Sequence, residues 1–215
     1  MIRLLFGVFG IFLIVAVAEL LWRKRILKSE WSRKFVHMGV ASFVAFWPFF
    51  TSFRAVQVLS LSFLAVIALS RWLHVFRGIH SVKRKTLGEL FYPLGIGLAA
   101  LLTTDKYIFA AAVLNLGLAD GLASIIGLTY GRKHQYHIGK LTKSYLGTFT
   151  FCLISAAITF WVLYSPAGFS PTAWPILIVL PLFTALVENI APYGSDNLFI
   201  PLSVVGLLGL IPFVF

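Results

Sequence analysis

Asp120 stands where hydrocarbon is expected. It lies in AAAVLNLGLADGLASIIGLTY, residues 110–130, a run otherwise apolar or small. If that run is one helix, Asp120 falls ten residues before Tyr130, about 15 Å from the helix end at ~1.5 Å per residue. A carboxylate so placed is costly and is kept where it faces a bundle interior or wet cavity and has a partner, so it marks an ion, proton or substrate site. Gly117, Ala119, Gly121, Ala123 and Ser124 around it let a second backbone, a metal or a ligand come close. The plainer alternative is tight helix packing, with Asp120 hydrogen-bonded to a neighbour.

Basic residues follow the acid. GRKHQYHIGKLTKSYLGT carries Arg132, Lys133, Lys140 and Lys143 among glycines at 131, 139 and 147. Lysine side chains and amides at glycine turns are the groups a polyphosphate needs. The stretch is not a Walker A loop, because no GxxxxGK[ST] precedes a helix. Lys143 and Ser144 fall at the expected start of the next helix, whose N-terminus adds positive potential. His134 and His137 are too few for a zinc site and read as loop histidines.

Upstream, SEWSRKFVHMG allows Ser29 or Ser32 to cap a helix and sets Arg33 and His37 four apart on one face. Together they could grip phosphate, with His37 as acid, base or donor. Lys34 beside them fits a side chain reaching anionic headgroups. Downstream, VENIAPYGSDN separates Glu188 from Asp196 by eight positions across Pro192. Asp196 is a natural N-cap; alternatively the two acids join Asp120 around a divalent cation. Hard oxygen ligands favour Mg²⁺, above all when substrate phosphates complete its shell. Glu89, beside Tyr92 and Pro93, is a further intramembrane acid, and Glu19 has Arg23 one turn away.

The elements that must position these groups are membrane helices. The 215-residue chain is 60% hydrophobic and 12% charged, with a mean hydropathy of +0.94. Such a composition specifies an integral membrane protein. Its 18 Lys and Arg against 7 Asp and Glu cluster between apolar runs, which argues for membrane orientation and phosphate contacts and against nucleic acid. The single cysteine, Cys152, excludes an intramolecular disulfide. The first apolar run lacks a small-residue cleavage site and reads as a retained helix.

Eight apolar runs, about 4–22, 35–50, 55–75, 90–103, 107–129, 145–164, 173–191 and 198–215, predict an all-α polytopic bundle of about eight transmembrane helices. The count is seven if the short fourth run is re-entrant. Bases concentrate in the first, third and fifth connections, the third holding Arg71, Arg77, Lys83, Arg84 and Lys85, which places those connections in the cytoplasm. All four polar motifs then fall on that side, as one interfacial site. No repeat or soluble linker divides residues 1–215, so one membrane domain is expected.

In this order the motifs resemble the membrane CTP-dependent lipid-alcohol kinases, the family of phytol kinase, dolichol kinase and CTP-dependent diacylglycerol kinase, itself related to phosphatidate cytidylyltransferases. The resemblance is carried by RK-x-x-H at Arg33 to His37, GELFYPLG at Gly88 to Gly95, ADGLASIIG at Ala119 to Gly127, GK-x-x-KS at Gly139 to Ser144 and DN-x-x-x-P at Asp196 to Pro201. It covers about 30–205. Two positions depart: Ala119 replaces a usual glycine, and Leu146 replaces a common acid.

The resemblance implies phosphoryl transfer from a nucleotide, CTP, to the hydroxyl of a membrane lipid alcohol on the cytoplasmic face. Asp120 and Asp196 are expected to hold Mg²⁺. Arg33, Lys34, Lys140, Lys143, Ser144 and Asn197 form the expected nucleotide-binding set. Asp120, Glu188 and His37 are the expected catalytic residues, with Glu188 or His37 orienting or deprotonating the hydroxyl. The nearest alternative is cytidylyl transfer to a lipid phosphate. A transporter using Asp120 and Glu188 as ion sites is a third; no inverted repeat supports it, and the basic glycine loop would then lack a reason. The sequence leaves the oligomeric state open.

Overall fold

The computed structural model describes residues 2–27, 29–72, 87–164 and 173–211, without the side chains of 2–5, 29–30 and 70–72. The expectations that Ser29 caps a helix and that Arg71, Arg77, Lys83, Arg84 and Lys85 set orientation lie outside the described residues or side chains, as does the uncharged sixth connection at 165–172.

Helices follow the apolar runs. They are α1 (Ile2–Arg23), α2 (Ser29–Ala45), α3 (Phe53–Trp72), α4 (Gly88–Leu102), α5 (Lys106–Leu114), α6 (Asp120–Tyr130), α7 (Tyr145–Tyr164), α8 (Trp174–Ile190) and α9 (Asp196–Gly209). A π-turn over Asn115–Ala119 joins α5 to α6, so the two form a single helical rod. The sequence pattern predicts that rod but gives no sign of the π-turn. The fourth run, which the sequence allows to be re-entrant, forms one uninterrupted 15-residue helix.

Local chemistry sets several boundaries. Asp105 caps α5, its Oδ1 accepting from the Tyr107 and Ile108 amides at 2.7 and 2.9 Å. Ala191, forced extended by the proline that follows, ends α8. Tyr193 and Gly194 at positive φ then turn the chain into α9. Residues 135–142, expected as a loop, and Lys143 and Ser144, expected at the start of a helix, pair instead as a small antiparallel hairpin of β1 (Gln135–Ile138) and β2 (Leu141–Ser144). Its two-residue turn is Gly139–Lys140, and Gly139 supplies the positive φ of 57° that such a turn requires.

The rod from Lys106 is the centre of the bundle: 78% of the Lys106–Lys133 window is buried, against 17% of Phe6–Arg23 in α1. Phe109, Leu116, Phe151, Leu180, Ile200 and Leu208 fill the core around it. Large apolar side chains also point outward, among them Phe9, Leu101, Phe149, Leu153, Ile178 and Leu186. An exterior this apolar suits lipid, not water. Phe6–Arg23, Lys106–Lys133 and Tyr145–Tyr164 are long and apolar enough to cross a bilayer, and four shorter apolar helices accompany them. The protein is an all-α membrane helix bundle that also carries the β1–β2 hairpin.

Candidate active site

Close helix approach builds the site. α2 crosses the rod at the π-turn, where Gly117 leaves no room for a side chain: a methyl group there would overlap Ala41. One turn later Gly121 lies against Met38 in the same way. These two contacts bring the first turns of α2 level with Asp120.

Lys34 and Asp120 are both buried, and Lys34 Nζ donates to Asp120 Oδ2 at 2.7 Å. His37, one turn along α2, places Nε2 2.9 Å from the Leu116 carbonyl and 3.3 Å from Asp120 Oδ2. Tyr92 of α4 stands behind this pair. Its ring centroid is 4.5 Å from that of His37, and its hydroxyl donates to the His37 carbonyl at 2.8 Å. Lys34 is therefore no headgroup-seeking surface lysine. A long apolar stem lets lysine reach lipid headgroups, but an unpaired buried carboxylate is the stronger attractor.

A second pair forms across the bundle. Lys143, on the inward face of β2, bonds the Glu188 carboxylate and also donates to the Glu188 carbonyl at 2.9 Å. The hairpin's register makes this possible: Lys143 faces Tyr136 across the sheet, and the Tyr136 hydroxyl is held by Thr148 and by Asn189 Oδ1 at 2.8 Å. The hairpin is thereby fastened to α7 and α8 at the level of Glu188.

Asp196 completes the cluster. It lies in the electrostatic field of Asp120, Lys34, Lys143 and Glu188. Among the described residues it makes no ion pair; its Oδ1 accepts only from the amide of Asn197. Three carboxylates thus meet two lysines, which leaves Asp196 as the acid without a cation. Asp120 Oδ1 likewise has no hydrogen-bond partner among the described residues.

No three His, Cys, Asp or Glu among the described residues are grouped closely enough to hold a metal by themselves. Mg²⁺ is commonly held by one or two carboxylates, with substrate phosphates and water filling the octahedron. Asp196 and the open Asp120 oxygen are hard donors of that kind.

The remaining expected residues lie elsewhere or are differently engaged. Lys140 is exposed at the hairpin turn. The Ser144 hydroxyl accepts from the Gly147 amide at 3.1 Å and packs between Gly127, Gly131 and Gly147, so it caps α7. Asn197 uses its amide nitrogen on the Gly88 carbonyl at 3.0 Å, joining α9 to α4. Arg33 is half-buried on α2, whereas the neighbouring Lys34 meets Asp120. Ser32 lies inside α2, and its hydroxyl donates to the Ala18 carbonyl. Glu19 pairs with Arg23 at 2.9 Å, as its spacing predicts. Leu146, one of the two expected departures from the resemblance, is exposed. Its lack of charge leaves the two ion pairs intact.

Sequence reasoning missed the pairing of Lys34 with Asp120 and the part played by Tyr92. One signal was available: Lys34 and His37 are three apart and share a helix face as closely as Arg33 and His37 do.

The chain is 34% identical over 195 residues to a phytol kinase of Synechocystis sp., an alignment spanning 88% of this chain and 82% of that protein. No family model matches the chain. No solved structure matches it either.

Proposed function

Since the chain belongs to the CTP-dependent lipid-alcohol kinase family that includes phytol kinase, we propose that it transfers the γ-phosphoryl group of CTP to the hydroxyl of a membrane lipid alcohol, isoprenoid or diacyl. The observation that carries this reading is the charged cluster of Lys34, His37, Asp120, Lys143, Glu188 and Asp196 inside an apolar bundle, buried at Lys34 and Asp120 and half-buried at the other four. Phosphoryl transfer asks little covalent chemistry of a protein; positioning and charge stabilisation supply nearly all of the catalysis. The cluster offers both.

Lys34 and Lys143 are the cations that neutralise phosphate charge, with Arg33 on the approach. Asp196 and Asp120 would hold Mg²⁺, which would supply positive charge to the phosphates. His37 takes the proton of the acceptor hydroxyl. Glu188 keeps Lys143 in place, and the hairpin carries Lys143 over the site. Lys140 and the exposed bases beside it draw the nucleotide in by long-range attraction. The lipid tail stays among the outward-facing apolar helices while its hydroxyl reaches the cluster.

The cluster faces the cytoplasm in this reading, which is supported by the concentration of bases in the odd connections between the apolar runs. Residues 1–215 act as a single catalytic domain.

Purified protein in lipid micelles with Mg²⁺, given CTP labelled at either the α or the γ phosphorus and a panel of lipid alcohols and phosphatidate, tests the proposal. Label should enter an alcohol from the γ position alone. Entry from the α position into phosphatidate would replace the kinase by a cytidylyltransferase. Equal use of ATP would overturn the assignment of CTP.

A further inference from the structure

The rod that carries Asp120 is interrupted by the π-turn immediately before it, and the turn has a consequence for His37. A π-turn shifts the backbone ladder to i→i+5 bonding for one turn, and such turns concentrate at functional sites. Here the Asp120 amide reaches back to the Asn115 carbonyl, skipping Leu116, and the Leu116 carbonyl meets His37 Nε2 at 2.9 Å. A carbonyl oxygen can only accept, so Nε2 must carry hydrogen. The second neighbour of Nε2, the Asp120 carboxylate oxygen at 3.3 Å, makes the same demand. Nδ1 makes no hydrogen bond among the described residues, and the His37 side chain keeps 12% of its surface accessible.

We infer that the π-turn is the positioning device of this site: its Leu116 carbonyl fixes the His37 hydrogen on Nε2 and leaves Nδ1 as the open, proton-accepting atom. This rests on the kinase reading for what Nδ1 accepts from. In the transfer, the alcohol O–H bond breaks and its proton passes to Nδ1. The alcohol oxygen bonds the γ-phosphorus, and the bond from that phosphorus to its bridging oxygen breaks as the nucleoside diphosphate leaves. Tyr92 steadies the same unit from behind through the His37 carbonyl. The Leu116 carbonyl acts only through His37 and is a positioning group.

The test uses the full-length protein in micelles with ¹⁵N-labelled histidine, the His37 signals being identified by their loss in His37→Gln. With the ring neutral and no nucleotide present, His37 should show one slowly exchanging Nε2–H and an acceptor-type Nδ1, unlike the exposed His134 and His137. A hydrogen on Nδ1, or exchange as fast as at the exposed rings, would overturn the inference.

Two variants extend the test to the reaction. The glutamine amide of His37→Gln reaches the Nε2 position, so that variant should keep its thermal stability and nucleotide affinity while its kcat drops at least 100-fold. His37→Asn, whose amide reaches only the Nδ1 position, should also lose thermal stability. Full transfer by His37→Gln would remove Nδ1 from the reaction. γ-Label transfer by the unaltered protein tests the kinase reading separately, because the tautomer is read without substrate.

Discussion

Lys34 and Asp120 have side chains only 10% and 4% accessible, so neither can be discharged by water if its partner is removed. Removing one member of such a buried pair costs about 3–5 kcal/mol, whereas replacing both by apolar residues of similar volume is often neutral. Lys34→Ala should therefore lower the melting temperature in detergent sharply, and Lys34→Met with Asp120→Leu should recover most of it. Neither protein should transfer phosphate. A double variant no more stable than Lys34→Ala would mean that the two side chains are not coupled. Asp120→Asn isolates the charge from the shape: it should insert and fold but lose γ-label transfer to the alcohol. Retained transfer would exclude Asp120 from the chemistry.

The elements meet at positions where a single atom matters. α2 reaches the rod only because Gly117 has no Cβ to meet Ala41. Gly117→Ala should overpack this crossing, cost roughly 1–3 kcal/mol, and cut activity by moving Lys34 and His37 away from Asp120. Adding Ala41→Gly restores the space, so the double variant should regain both stability and transfer; no rescue would place the damage elsewhere. At the other end the hairpin hangs on the Tyr136 hydroxyl, bonded to Asn189 and Thr148. Tyr136→Phe leaves the Asn189 oxygen with only a 3.3 Å contact to Thr148. A loss of about 0.5–1.5 kcal/mol is expected for the missing hydrogen bond, read as faster proteolytic cleavage between residues 131 and 144 and a higher KM for nucleotide through Lys143. Unchanged cleavage and KM would show that the hairpin does not depend on this tether.

The molecule as a whole is a bundle whose outside is apolar and whose interior holds charge. Its orientation is testable because Cys152 is the chain's single cysteine and lies half-buried, 3.8 Å from the Pro181 carbonyl. In a Cys152→Ser background, a membrane-impermeant maleimide should label Lys140→Cys from the cytoplasmic side only. It should label Ser52→Cys, in the exposed bend before α3, from the opposite side only. The reverse pattern would put the site on the wrong face for a cytoplasmic nucleotide.

By itself the sequence determined the membrane bundle, the positions of its helices and the acids worth attention, because hydrocarbon thickness and the cost of a buried charge act on each segment separately. The run from Ala110 to Tyr130 needed no neighbour to read as a helix, nor Asp120 to read as a site. The ordered motifs also determined the family, since their spacing survives without any knowledge of which helices touch. Partners were another matter. Whether Arg33 or Lys34 meets Asp120 depends on the rotation of α2 against the rod. That rotation is set by the Gly117 and Gly121 crossings, which involve residues more than 75 positions away in the chain. Ser144 and Lys143 are adjacent in sequence and opposite in role because strand alternation turns one inward to Glu188 and the other toward the glycines under α7. The π-turn has no sequence signature in Asn115–Ala119. It is a compromise of packing around a rod pressed from several sides, and only the tertiary structure could decide that the Leu116 carbonyl would face a histidine.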